Sequence, residues 1–275
     1  MKPAVVIRTL PVPVTALRGT YEMRTLLRGL QVLECFTPDH PELTQTEIVE
    51  RVGMPKGTLH RFVSALERHG YLVRAPNGRA YILGLKILEL GQASLRGLRA
   101  PDIALPYLEH LAQETDESAS LAILDGTEIV YVARASRKRL MSTNLAVGSR
   151  LPFYCTSIGK VILAFLDEAE VDAMLERIEF RQLTPYTIST RHQFKRALSQ
   201  IRRQGYAVNN QELELGLRSA AAPIWSRDGR VVAGISIAMP PQRSPMSRLR
   251  RQFVPVLLKI AQEITDALRH LDVRW

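Results

Sequence analysis

The run from Thr44 to Leu72, TQTEIVERVGMPKGTLHRFVSALERHGYL, leaves this chain few ways to fold. Thr44 and Glu47 stand at capping-box spacing, so a helix starts there, with Ile48, Val49 and Val52 turned inward. Gly53 supplies the left-handed residue that ends a helix, and Pro55 suits the first turn of the next. Leu59, Phe62, Val63 and Leu66 then recur at helical spacing until Gly70 stops the run. Two short amphipathic helices joined by a tight glycine turn are a helix-turn-helix. Upstream, Leu26, Leu30, Leu33 and Phe36 mark a first helix over roughly 22–36. Downstream, Tyr71–Val73 and Ala80–Ile82 read as strands around Asn77-Gly78, a strong hairpin signal, with Arg74 and Arg79 beside the tip. The sum is a winged helix-turn-helix.

Charge concentrates in this part of the chain. Residues 51–99 hold nine Lys/Arg against Glu67 and Glu89, a net of +7, whereas residues 1–50 net −1 and the remaining 176 residues only +4. So local an excess points to a polyanion as partner. The apolar face of the second helix packs inward and leaves Lys56, Gly57, Thr58, His60 and Arg61 at its exposed N-terminal end, the part of a recognition helix that enters the major groove. Gly57 allows close backbone approach, Lys56 suits a phosphate, and Arg61 can pair bidentately with guanine. Thr44, first of all a helix cap, and Arg79 on the wing complete the candidate contacts with double-stranded DNA.

Residues 1–20 read as a flexible arm. Pro11 and Pro13 interrupt its apolar part, and the stretch lacks the pattern of a signal peptide. No apolar run reaches the roughly 18 residues of a membrane helix. Cys35 and Cys155 stand far apart, form neither a disulfide framework nor a metal quartet, and suit a reducing cytoplasm. The expected organisation is an arm (1–20), the winged helix (21–84), a linker helix (85–100) and a second domain (101–275). The second domain opens with a helix from Pro106 to about Thr115. A hairpin over Ser118–Ala135 turns at Asp125-Gly126, and Met141–Ala146 reads as a third strand. Helices follow at Thr156–Leu166, Glu168–Arg177 and His192–Gln204, then strands at Leu215–Ile224 and Val231–Ala238. A last helix runs from Ser244-Pro245, its apolar positions reaching Leu271, with a kink at Pro255. That order suggests an α+β domain with an antiparallel sheet.

Enzyme signatures are missing from the sequence. Neither Ser157 nor Cys155 sits in G-x-S-x-G, and there is no P-loop, G-x-G-x-x-G or H-E-x-x-H. The six histidines are scattered, so no metal or other cofactor is expected, and the reading is a regulator rather than an enzyme.

Several motifs in order then carry a family resemblance: LLRGLQVLECF, LTQTEIVERVGMPKGTLHRFVSALERHGYL and YILG, followed by ESASLAILDGTEIVYVAR, GSRLPFYCTSIGKVILA, NNQELELGLRSAAAPI and VVAGISIA. From about Tyr21 onward the chain resembles the IclR family of bacterial transcription regulators. VGSRLPFYCTSIGKVILA looks most like the branch that governs aromatic-acid breakdown by the β-ketoadipate route.

The resemblance implies a GAF-like effector domain and, position by position, a pocket at Ser157, Ile158, Asn209, Leu217, Ser219, Ser236 and Ala238. Many members carry an acidic residue where Asn209 stands and a cysteine where Ser219 stands. Several have glycine at the position of Ser157 and serine at that of Ala238. Relative to those members the pocket loses a charge at Asn209 and a hydroxyl at Ala238, which disfavours a glyoxylate-like ligand and favours a larger, partly apolar acid. Leu217 and Ser219 share a strand face, as do Ser236 and Ala238, and Ser157 lies near a helix N-terminus, where N–H groups suit a carboxylate. Arg218 points to the opposite face from Ser219, which makes it structural or interfacial.

The expected protein is a cytoplasmic, nucleoid-associated homodimer or homotetramer. It binds a palindromic operator, takes a small organic acid as effector, and has RNA polymerase as a further potential partner. Two alternatives stay open: a regulator of a non-aromatic carboxylate or sugar-acid pathway, and an architectural DNA-binding protein without a ligand.

Overall fold

The computed structural model describes residues 23–137 and 145–269, which divide into two compact units that meet in the chain at residues 95 and 96. The expected arm, residues 141–144 of the expected third strand, and Leu271 lie outside the described residues.

In the first unit, α1 (Arg24–Glu34), α2 (Gln45–Val52) and α3 (Lys56–Arg68) close around Val32, Phe36, Ile48, Leu59 and Val63. The capping box forms in full. The Glu47 N–H donates to Thr44 Oγ1 at 3.3 Å, and the Thr44 N–H donates to Glu47 Oε2 at 2.7 Å. Gly53 takes φ 67°, a conformation costly for residues with a Cβ. Pro55 sits one position earlier than expected, as the N-cap of α3, where its carbonyl accepts from the N–H groups of Thr58 and Leu59. The hairpin of β2 (Leu72–Arg74) and β3 (Ala80–Leu83) forms around Asn77-Gly78. Its third partner, β1 (Leu43–Thr44), lies along β3; two residues give no periodicity to read. The helix α4 (Leu85–Leu98) continues the chain out of this unit.

The second unit begins with α5 (Ala100–Thr115), six residues earlier than the sequence suggests. Pro106 lies inside this helix on its exposed side, while Ala104, Leu108 and Leu111 are buried, and that burial outweighs one missing backbone bond. Six antiparallel strands follow: β4 (Ser118–Asp125), β5 (Glu128–Ala135), β6 (Arg150–Pro152), β7 (Ala207–Asn210), β8 (Arg218–Trp225) and β9 (Val231–Met239). They pair in the order β6-β5-β4-β9-β8-β7. The strand after the first hairpin is thus Arg150–Pro152; Leu145 and Ala146 are irregular. The sequence does not announce β7, because Asn209 and Asn210 are poor strand formers.

Helices cover both faces of the sheet. On one side lie α5 and α10 (Val254–Arg269). Before α10 the chain makes a single turn, α9 (Met246–Arg248), and a π-helical turn over Leu249–Phe253, ahead of Pro255. Pro255 has no N–H to offer the preceding turn, and the wide turn accommodates its ring. On the other side lie α6 (Ser157–Leu163) and α8 (Arg191–Gln204), with α7 (Glu168–Leu175) between them in the chain. Here Ile158, Val161, Phe194, Leu198 and Ile201 pack with Phe153 and Ala221.

Two close approaches fix α6. Ile158 and Val161 lie against Gly234 of β9, where an added Cβ would meet them at 3.0 and 3.2 Å. Gly159 presses on the backbone of Phe153, and a Cβ there would overlap the Phe153 carbonyl. Gly159→Ala is therefore expected to destabilise this unit by about 3 kcal/mol in urea unfolding. Gly57→Ala, whose methyl would meet open space in α3, should be neutral or stabilising by up to about 1 kcal/mol.

Candidate nucleic-acid interface and ligand site

The cationic face of the first unit is built by subtraction. Burying Leu59 and Val63 turns Lys56, Gly57, His60 and Arg61 to solvent on α3, with Thr58 half-buried beside them. Among the described residues no carboxylate lies within ion-pair distance of Lys56, Arg61 or Arg79. Arg74 differs. It pairs with Glu67 at 3.0 Å, donates to the Gly78 carbonyl and stacks over the Tyr81 ring at 5.0 Å, so it braces the wing. Arg79 stays exposed at the tip, where Asn77 Oδ1 accepts its backbone N–H at 2.9 Å. Thr44 is engaged by the capping box. The sequence reading missed Gln45, whose amide nitrogen lies 3.3 Å from both His60 Nδ1 and the Tyr81 hydroxyl. It ties the start of α2 to the exposed face of α3, and no local pattern marks it.

In the second unit, most of the expected pocket residues meet on the α6 side of the sheet. Asn209 pairs with Ser219 across β7 and β8, and Ser219 with Ala238 across β8 and β9. Ser157 and Ser219 share a hydrogen bond of 2.8 Å. Ser236 lies on the same face, paired with Ser120 of β4. Ser120, Ser157, Asn209 and Ser236 are buried, while Ser118, Ser219 and Ala238 on the same face are half-buried. Two expected members differ from the rest. Ile158 is fully packed on Gly234, and Leu217 stands just before β8, in the loop after β7. Arg218 faces away, donating to Asn210 Oδ1 at 2.9 Å and to the Ser244 carbonyl. The helix cap is Thr156, whose Oγ1 accepts from the Gly159 N–H at 3.1 Å.

The side chain of Asn209 joins three segments. Its amide donates to the Cys155 carbonyl, and its oxygen accepts from the Glu212 N–H at 3.0 Å. A carboxylate could not donate to that carbonyl, so the amide suits this position. Beside it, Lys160 of α6 forms a buried ion pair with Glu212 and donates to the Val208 carbonyl at 3.1 Å. Burial pulls the Lys160 ammonium below its ordinary value, against the opposing pull of Glu212. The same surroundings push the Cys155 thiol up to about 12, through burial first and the Glu212 charge second. A thiol so held is a poor nucleophile at neutral pH.

A separate groove of about 310 Å³ opens beside Phe165, Arg203, Trp225 and Ala261. Phe165 and Trp225 stack edge to face there, and the nearby Arg202 is engaged by the carbonyls of Ala164 and Leu166.

A winged helix-turn-helix with an exposed cationic face that is unpaired among the described residues, followed by an α+β domain with a cluster of buried hydroxyls, defines a DNA-binding transcription regulator. The chain belongs to the IclR family: the family's helix-turn-helix domain matches residues 25–76, and its C-terminal domain, that of the bacterial transcriptional regulator IclR, matches residues 92–266. It is 36% identical to the Pca regulon regulatory protein of Pseudomonas putida over 90% of this chain and 84% of that one. It is also 36% identical to the transcriptional regulator KdgR of Escherichia coli, over 84% of this chain and 88% of that one. Among solved structures it is similar to an IclR homologue from Microbacterium hydrocarbonoxydans complexed with 4-hydroxybenzoate. That likeness has a TM-score of 0.79 and 29% identity, covering 90% of this chain and all of that one (100%).

Two buried groups on the α6 side, Cys155 and Tyr131, lower stability at alkaline pH, against the opposite contribution of Lys160. Burial also raises Tyr131, to about 12. Native Cys155 and Tyr131 hold their protons where the unfolded side chains have lost them, so the unfolded state binds fewer protons and stability falls as pH rises. Denaturant unfolding between pH 8 and 11 should show this decline starting near the ordinary thiol value of 9.0. In Cys155→Ala the decline below the tyrosine range should be shallower, because Cys35, also raised by burial, is then the thiol left contributing there.

Proposed function

We propose that this regulator binds a palindromic operator through paired winged helices and releases or grips it in response to a small aromatic organic acid. The observation that carries the DNA half is the exposed set Lys56, Gly57, His60 and Arg61 on one face of α3, with no carboxylate beside it. The hydroxyl cluster of Ser120, Ser157, Ser219 and Ser236, with Ala238 on the same face, supports the effector half. It offers hydrogen bonds and apolar surface together, as small-molecule sites do. The related structure holding 4-hydroxybenzoate and the likeness to a Pca regulator favour an aromatic acid. The equal identity to KdgR keeps a non-aromatic acid as the second reading.

Binding shifts the equilibrium between DNA-competent and incompetent arrangements only so far as the acid prefers one of them. The acid thereby governs transcription of a catabolic operon, acting without chemistry; the protonated Cys155 supports a role other than nucleophile. Self-association is favoured by apolar side chains left in water: Leu26 and Leu30 on α1, and Leu85 and Leu88 on α4. No described helix is long and apolar enough to cross a membrane, and the reading places the protein with DNA in the cytoplasm.

Fluorescence anisotropy with the DNA upstream of the neighbouring operon tests the DNA half. Arg61→Ala should lose roughly 10- to 100-fold in affinity for the specific site, with a smaller loss on random DNA. Equal losses on both would remove direct readout from Arg61. Lys56→Ala should weaken both and lower the salt dependence by about one ion. For self-association, Leu88→Glu should shift the sedimentation coefficient towards the monomer and weaken operator binding; an unchanged coefficient would remove α4 from the interface.

A further inference from the structure

The α6 face of the sheet carries a cation that has no anion among the described residues. Arg134 lies on β5, paired with Ser120 of β4, which is in turn paired with Ser236 of β9. Its Nη1 donates to Ser120 Oγ at 2.9 Å and its Nε to Ser136 Oγ at 3.1 Å. Nη2 has no partner among the described residues, and none of their carboxylates pairs with this guanidinium. Residues 138–144, next in the chain, contain no Asp or Glu. The side chain is half-buried, and burial lowers it from its ordinary value. Arg150 is matched by Asp125 and Glu128 at 2.6 and 2.8 Å, whereas Arg218, also without a carboxylate among the described residues, turns away from the cluster to Asn210 and the Ser244 carbonyl. A part-buried charge left without an opposite charge is costly unless something supplies one.

Its position says what could supply it. The bond to Ser120 places the guanidinium over β4, on the same face as Ser236, Ser219 and Ser157. The Ser157–Ser219 pair lies over β8, two strand spacings away, roughly 10 Å. Ser236 lies between them, and its hydroxyl has no partner among the described residues. One end of the cluster is cationic and the other hydroxylic, with Ala238 between. A two-carbon acid is too short to engage both ends, whereas an acid with a ring and a polar group opposite the carboxylate can.

We propose that Arg134 is the carboxylate anchor of the effector site, and that the Ser157–Ser219 pair receives the polar group at the far end of the same molecule. The assignment rests on the effector reading given above and adds to it the ligand's orientation. It places the acid group at Arg134, away from the start of α6. Three N–H hydrogens of the guanidinium, both on Nη2 and the second on Nη1, are available for a carboxylate, the geometry for which arginine is best suited.

The full-length protein decides this by calorimetry and thermal shift with 4-hydroxybenzoate, its neutral isostere 4-hydroxybenzamide, and the non-aromatic acids glyoxylate and gluconate. The expected result is that wild type binds the aromatic acid and prefers it over the amide by at least about tenfold. Arg134→Met should lose that preference and most of the acid affinity, and Arg134→Lys should retain part of both. If Arg134 only stitches β4 to β5, the variants will melt earlier yet keep the acid-over-amide preference, which overturns the proposal. Equal binding of acid and amide by wild type overturns it too, and this arm stands even where Arg134→Met fails to fold. Binding of only a non-aromatic acid, dependent on Arg134, upholds the anchor and refutes the aromatic reading. No binding of any acid refutes both.

Discussion

The second unit depends on the packing of one short helix against its sheet. Among its described residues, α6 is buried throughout, from Ser157 to Leu163. It can lie this close because Gly159 yields to the Phe153 backbone and Gly234 yields to Ile158 and Val161. Such contact places Lys160 in the interior, where an ammonium without a partner would be prohibitive. Glu212 and the Val208 carbonyl meet it there. The ion pair thus ties α6 to the strand β7 and the loop behind it, and Asn209 adds a second tie through Cys155 and Glu212.

That arrangement gives the hydroxyl cluster its shape. With α6 fixed, Ser157 reaches Ser219 on β8 instead of water. The pairing of β8, β9, β4 and β5 then aligns Ser219, Ser236, Ser120 and Arg134 along one face of the sheet. A backbone shift at α6 would be felt along this row, because packed interiors transmit displacement instead of absorbing it. A ligand seated between Arg134 and Ser157 would bear on the same helix, so binding and the position of α6 are coupled through contact. The first unit works on a different principle. Its core orients α3, and its function lies in the residues that the core does not need.

Much of the winged helix was legible in the sequence, because its signals are local. A capping box, a glycine that needs positive φ, an Asn-Gly turn and a helical apolar period each act within a few residues, and each forms as read. The two-residue strand β1 was not legible, since its existence depends wholly on β3 lying beside it. Pro106 misled for a related reason. A local rule against proline inside a helix gave way to burial of Ala104, Leu108 and Leu111, a tertiary effect.

For the candidate sites the division is sharper. The sequence by itself determined a basic recognition helix, the antiparallel hairpins, and serines spaced to share a strand face. It could do so because alternation and helical period are properties of the chain alone. Only the tertiary structure decided that Asn209 braces a loop, that Lys160 is a buried partner of Glu212, and that Gln45 reaches His60. It alone brought Arg134 over Ser120, in line with residues a hundred positions away. The Asp125-Gly126 turn sets β5 beside β4, but the pairing of β4 with β9, and so with β8, is set by register between distant strands that no local feature encodes.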